Sequence, residues 1–157
     1  MSYRILLVCL GNICRSPTAE AVLRARLMVH GLAGRVQVDS CGTGDWHVGK
    51  PPDARATAAA ARRGYDMSAL RARQLRVSDF SNFDLVLAMD DQNLADIRRL
   101  AGRNVTEIGK FLDFHPAARG ADVPDPYYGG DEGFDRVLDL IEQGSDGLIR
   151  ERLGEVS

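Results

Sequence analysis

The chain has no apolar run long enough to cross a membrane. Its opening stretch, Ile5-Leu6-Leu7-Val8, is interrupted almost at once by Gly11 and Asn12, whereas a spanning helix needs about 20 apolar residues. Met1 to Arg4 also lacks the layout of a secretion signal. A cytoplasmic location with no membrane partner is the expectation. Cysteine is scarce: Cys9, Cys14 and Cys41 are too few for a disulfide framework and, with no export signal, are expected to be thiols. His30, His47 and His115 stand at no spacing typical of zinc, so no metal is expected. Lysine occurs only at positions 50 and 110, and the formal net charge of -2 gives no electrostatic case for a nucleic-acid partner. Gly44-Asp45-Trp46-His47-Val48-Gly49-Lys50 matches the start of a nucleotide-binding loop, but Pro51 follows where a magnesium-holding Ser or Thr belongs. No cofactor is implied.

What remains is ordinary globular material. A chain of 157 residues, 45% hydrophobic and 27% charged, buries about 70% of its unfolded surface and can form a proper core. One domain over residues 1–157 is expected. Short apolar runs at Arg4 to Cys9, Val36 to Ser40, Leu85 to Met89 and Val105 to Phe111 read as strands. They alternate with helical patterns at Pro17 to His30, Asp53 to Arg63, Asp91 to Leu100 and Phe134 to Leu153, with a one-turn helix near Val77 to Phe80. That alternation is the rhythm of an α/β fold with a parallel sheet.

Residues Cys9-Leu10-Gly11-Asn12-Ile13-Cys14-Arg15-Ser16 carry the most chemistry. They place a thiol and a guanidinium at the two ends of one strand-to-helix loop. Backbone N–H groups in such a loop point inward as an anion nest, and the following helix adds its positive end. The same field favours thiolate over thiol. Five intervening residues let the chain curl round a tetrahedral anion, Gly11 and Asn12 being the two most tolerant of left-handed backbone angles. Arg15 can then grip two oxygens with its planar fork. Ser16 is a good N-cap and Pro17 suits the first helical position.

Cys-x5-Arg-Ser near the start, followed far downstream by Asp125-Pro126-Tyr127-Tyr128, resembles the low-molecular-weight protein tyrosine phosphatases. The similarity extends through Asp39-Ser40, Trp46, Gly49, Pro51-Pro52-Asp53, Ala88-Met89-Asp90 and the final helical pattern. It implies a three-layer sandwich: a four-stranded parallel sheet in order 2-1-3-4 with helices on both faces. It also implies hydrolysis of phosphotyrosine through a cysteinyl-phosphate, with Cys9 as nucleophile, Arg15 as phosphate clamp and Asp125 as general acid and base. Leu10, Gly11, Asn12, Ile13, Cys14 and Ser16 would form the phosphate-binding loop, with Ser40 and Asp90 supporting it. Trp46, Tyr127 and Tyr128 would shape the substrate pocket. Taken alone, Asp125 reads as a turn aspartate, Trp46 as core cover and Asp90 as a helix cap.

Partners implied by the resemblance are tyrosine-phosphorylated proteins, with inorganic phosphate or another oxyanion able to sit in the loop, and a monomer is expected. Cys14 lies close enough in sequence for a reversible disulfide with Cys9, or it is a small apolar filler. The chain departs from the family at Leu70, where a histidine often stands, so Glu20 is expected to lack its partner. Arsenate reductases of this fold need two further cysteines after the third strand, and none occurs between Met89 and Pro116. Protein arginine phosphatases tend to carry Thr where this chain has Ile13. A non-catalytic phosphopeptide module would need neither Cys9 nor Asp125.

Overall fold

The computed structural model describes residues 2–127 and 129–154. Four strands, β1 (Tyr3–Cys9), β2 (Val36–Gly42), β3 (Leu85–Ala88) and β4 (Glu107–Lys110), form one parallel sheet in the order β2-β1-β3-β4. The order is the expected one. Parallel strands require crossovers, and helices supply them: α1 (Arg15–Val29), α2 (Ala54–Arg62), α3 (Asp79–Asn82) and α4 (Asp91–Ala101), with α5 (Asp131–Leu148) closing the chain and running into a π-helical turn, Ile149–Leu153.

The central strand shows why the sheet is covered on both faces. Ile5, Leu6, Leu7 and Val8 are all fully buried, as an uninterrupted apolar strand must be. Ile5, Leu7 and Cys9 join the cluster that holds Val22, Leu23 and Leu27 of α1 and Val137, Leu138 and Ile141 of α5. Leu6 and Val8 join Phe80, Ile97 and Ala101 of α3 and α4. This alternation fixes the facing of Cys9, because shifting the strand by one residue would exchange the two faces. Burying one such leucine contributes about 1.5–3 kcal/mol.

Several boundaries differ from those read in the sequence, each for a tertiary reason. β4 covers Glu107–Lys110 rather than Val105 to Phe111, because its partner β3 has four residues to pair with. Val105 is fully exposed, and Phe111 opens a 3-10 turn, Phe111–Phe114. β2 continues past Ser40 to Gly42 because Gly42 pairs with Cys9. The short helix is Asp79–Asn82 rather than Val77 to Phe80. α5 begins at Asp131, three residues before Phe134. Its Gly147 lies so near the 3-10 turn that an added Cβ would come within 1.8 Å of the Phe114 carbonyl oxygen. Glycine there lets helix and turn touch.

Candidate active site

At the C-terminal end of β1 the chain turns through residues 10–14 and enters α1. The helix starts at Arg15, with Cys14 as the cap residue and no side-chain cap, so Ser16 is not the N-cap that its sequence position suggests. Its hydroxyl lies 3.0 Å from Cys9 Sγ instead. Pro17 still falls within the first turn, where a missing N–H costs nothing.

Asn12 organises the loop. Its φ of 57° is the one left-handed value at a non-glycine among the described residues, a conformation that asparagine tolerates better than most residues. Gly11, the other residue expected to turn this way, does not. With that turn the Asn12 N–H donates to Cys9 Sγ at 3.2 Å. The side-chain carbonyl accepts from Arg73 N at 3.0 Å, so the amide nitrogen faces the other way and donates to Ser16 Oγ at 2.8 Å and Ser40 Oγ at 3.0 Å. Ser16 thus has one proton left to give. Cys9 Sγ is nearer than the alternative acceptor, the Cys41 carbonyl at 3.3 Å. Gly42 backs the whole loop, since a Cβ there would meet Leu10 O at 2.7 Å.

Glu20, expected to stand without a partner, has two. Ser40 Oγ donates to its Oε1 at 2.7 Å, and Arg24 pairs with Oε2 at 2.6 Å. Burial pushes its carboxyl up, and Ser40 and Arg24 pull it part of the way back. Leu70 packs against the core at the edge of the cluster. Burial, aided by Asp53 and Cys9, pushes the Cys14 thiol up to about 12. Cys41 is fully buried and its thiol is likewise pushed up by burial.

Arg15 is 3% exposed. Its Nη1 donates to Asp90 Oδ2 at 2.5 Å and to the Val123 carbonyl at 3.1 Å. Burial opposes its charge, but Cys9, Asp90 and Asp125 outweigh burial and raise its pKa. Asp90 does both things read for it, because its Oδ1 accepts from Asn93 N at 2.7 Å to cap α4 while Oδ2 holds Arg15. Asp125 arrives from the far end of the chain. Its Oδ2 stands 3.6 Å from Arg15 Nη2, and its Oδ1 accepts from Tyr127 N at 3.1 Å.

These groups meet in a cavity of about 410 Å³ lined by Cys9, Leu10, Gly11, Ile13, Cys14, Arg15, Trp46, His47, Asp125 and Tyr127. Trp46 is 64% exposed, so it walls the cavity rather than covering core. Tyr128 lies outside the described residues. Sequence reasoning missed His47, whose Cδ2 would be 3.0 Å from a Cβ on Gly11; its position next to Trp46 was the available signal. It also missed the role of Arg73, although that residue closes the family segment Ser68-Ala69-Leu70-Arg71-Ala72-Arg73, and the Val123 carbonyl, which nothing in the linear pattern marks. No group of three or more His, Cys, Asp or Glu side chains able to hold a metal occurs among the described residues. No described helix is long and apolar enough to cross a membrane.

The family model for low molecular weight phosphotyrosine protein phosphatase matches residues 4–156 of the chain. A low molecular weight protein-tyrosine-phosphatase of Streptomyces coelicolor is 47% identical over 153 residues, covering 95% of this chain and 93% of that protein. The crystal structure of YfkJ from Bacillus subtilis aligns with a TM-score of 0.93 at 39% identity, over 100% of this chain and 98% of its own. The protein tyrosine phosphatase of Entamoeba histolytica, crystallised with Hepes in its active site, aligns with a TM-score of 0.92 at 39% identity, over 99% and 100% of the two chains.

Proposed function

This chain belongs to the low molecular weight phosphotyrosine protein phosphatase family, and on that premise we propose that it hydrolyses phosphotyrosine through a cysteinyl-phosphate formed on Cys9. The observation that carries the reading is the convergence of Cys9, Arg15 and Asp125 on one cavity, although Asp125 is separated from the other two by more than a hundred residues.

The phosphotyrosine dianion enters the loop, where the N–H groups of residues 10–15 other than Asn12 and the Arg15 fork receive its three terminal oxygens. Asp90 and Val123 hold one end of that fork, which leaves the side facing Asp125 for the phosphate. The Cys9 thiolate, kept in place by Ser16 and the Asn12 N–H, attacks phosphorus in line with the bond to the phenolic oxygen. That P–O bond breaks, and Asp125, protonated, gives its proton to the departing oxygen. Water then attacks the cysteinyl-phosphate while Asp125 takes a proton from it, the S–P bond breaks, and inorganic phosphate leaves with the thiolate restored. Trp46 and Tyr127 flank the aromatic ring, and the apolar Ile13 suits a phenyl group better than a guanidinium. Cys14 keeps both readings: a small apolar filler, or the partner for a reversible disulfide formed when peroxide oxidises the Cys9 thiolate to a sulfenic acid and the Cys14 sulfur displaces water from it. Hepes, an oxyanion-bearing sulfonate, in the active site of the Entamoeba relative supports the loop as an anion site.

Mixing the protein with an aryl phosphate tests the reading directly. A burst of aryl alcohol equal to the enzyme concentration, and turnover of phosphotyrosine peptides well above phosphoserine or phosphoarginine peptides, is the expected result. A protein that binds phosphotyrosine peptide without releasing phosphate, or that prefers phosphoarginine, overturns it.

A further inference from the structure

We infer that Arg55 is a positioning residue for the general acid, reaching from α2 to hold the backbone of Tyr127, whose amide orients the Asp125 carboxylate. The inference rests on the role given to Asp125 above.

Arg55 Nη2 donates to the Tyr127 carbonyl at 2.7 Å, and Nη1 reaches the Gly129 carbonyl at 3.4 Å. The guanidinium also lies over the rings of Phe134 at 4.9 Å and Tyr127 at 5.8 Å. Tyr127 is therefore held at both backbone groups: its carbonyl by Arg55, and its N–H by Asp125 Oδ1 at 3.1 Å. A carboxylate on a surface loop has several rotamers open to it. The Tyr127 N–H selects one, and that N–H is only as well placed as the backbone carrying it.

The other end of the linkage reaches the nucleophile. Asp53 Oδ1 accepts from Arg55 N at 2.8 Å, and its Oδ2 faces Arg55 Nη2 at 3.4 Å. The Asp53 N–H donates to the carbonyl of Ile13, inside the phosphate loop, at 2.8 Å. Ile13, Asp53, Arg55 and Tyr127 thus tie the loop bearing Cys9 to the loop bearing Asp125. Such a tie fixes the gap that a phosphoryl group must span between attacking sulfur and departing oxygen. The task suits arginine and not lysine, since it needs several donors in one plane and a flat face for two rings.

A packing clip between α2 and α5 would use the same contacts, but it predicts a different kinetic pattern. Loss of a clip lowers stability and slows every substrate alike. Loss of a positioning residue slows only reactions whose leaving group needs the proton. The experiment compares kcat/KM for p-nitrophenyl phosphate, whose phenol departs readily unprotonated, with that for phenyl phosphate, whose phenol does not. In Arg55→Ala we expect a fall of about tenfold or more for phenyl phosphate and less than about threefold for p-nitrophenyl phosphate. Arg55→Lys, which keeps a cation over Phe134 but lacks the fork, should fall in between, and it decides the matter if the alanine variant does not fold. In an Asp125→Asn background, Arg55→Ala should cost less than about twofold on either substrate, because the two residues act as one unit. An equal loss across both substrates, or a loss that multiplies with that of Asp125→Asn, overturns the role of Arg55 alone. Should Asp125→Asn itself show no dependence on the leaving group, the assignment of the acid fails, and the role of Arg55 with it.

Discussion

In the phosphate loop, Cys9, Asn12, Cys14 and Arg15 are each at most 5% exposed, and side-chain hydrogen bonds run from Asn12 through Ser16, Ser40 and Glu20 without a gap. In the acid loop, the Asp125 side chain is 42% exposed and is held by the Tyr127 N–H on one oxygen and by Arg15 Nη2, at 3.6 Å, on the other. Both loops line the same cavity. The first is a buried polar network in which every member is satisfied, a state that rigidifies its surroundings because breaking one bond strands several groups. The second is anchored where it begins, by Val123 N donating to the Met89 carbonyl at 2.8 Å and by Lys110 on Asp122 at 2.6 Å, and is held further along by Arg55. On the proposed mechanism, Cys9 is thus fixed before substrate arrives, while Asp125 stays in contact with water, the source of its proton and of the nucleophile of the second step.

The hardest test of this contrast removes the nucleophile. Cys9→Ser should abolish turnover while leaving phosphate binding intact, as read by calorimetry; residual catalysis near the wild-type rate would break the assignment of the rigid half. Next in size, Asp125→Asn should lower turnover by about 10²- to 10⁴-fold. Because it touches only the exposed loop, it should leave the urea midpoint where it is, and a large fall in stability would show that the acid loop is structural after all. Asn12→Ala should do the reverse and destabilise the fold. It leaves Arg73 N, Ser16 and Ser40 short of partners and puts a Cβ-bearing residue without a polar side chain in a left-handed turn, together worth about 2–4 kcal/mol. Asn12→Gly relieves the turn but not the lost bonds, so it should fall between wild type and alanine on urea unfolding; equal stability of Gly and Ala would mean that the turn is unstrained.

The smallest effect belongs to Glu20. Its folded pKa is raised by burial, so in the window above the ordinary value of 4.5 the folded state binds more protons than the unfolded one and stability falls as pH rises. That contribution is complete below 4.5 and is lost as pH climbs through the raised folded value. Glu20→Gln removes the titration and can still accept from Ser40. The stability of Glu20→Gln relative to wild type should therefore grow with pH across that window, and a difference that shrinks with pH would show that Arg24 outweighs burial there.

How much could be read in advance depended on the reach of each interaction. The strand, loop and helix around Cys9 were legible because an apolar run, a turn-tolerant pair and a proline act over a few residues. Ser16 shows the limit even at short range: a cap and a thiol partner require the same residue type, and the facing of Cys9 decided between them. Asp90 was open between two roles because one carboxylate has two oxygens, and it fills both. Glu20 was expected to lack a partner because the family histidine is absent, yet Ser40 and Arg24 pair with it. Arg55 and His47 left no sequence signal beyond lying near Asp53 and Trp46, since Arg55 reaches Tyr127, Gly129 and Phe134 and His47 lies against Gly11.

The order of residues alone determined that a thiol and a guanidinium share one short loop at a strand end, because backbone sterics, apolar alternation and helix-start preferences are local. It also determined the parallel arrangement, since alternating strands and helices leave few other ways to bury both faces of each strand. Only tertiary packing decided which groups complete the site. The distance from Asp125 to Arg15, the grip of Asp90 and Val123 on the guanidinium, and the link from Ile13 through Asp53 and Arg55 to Tyr127 are relations between segments far apart in the chain. Such separations carry no fixed spacing until the sheet and its helices have set them.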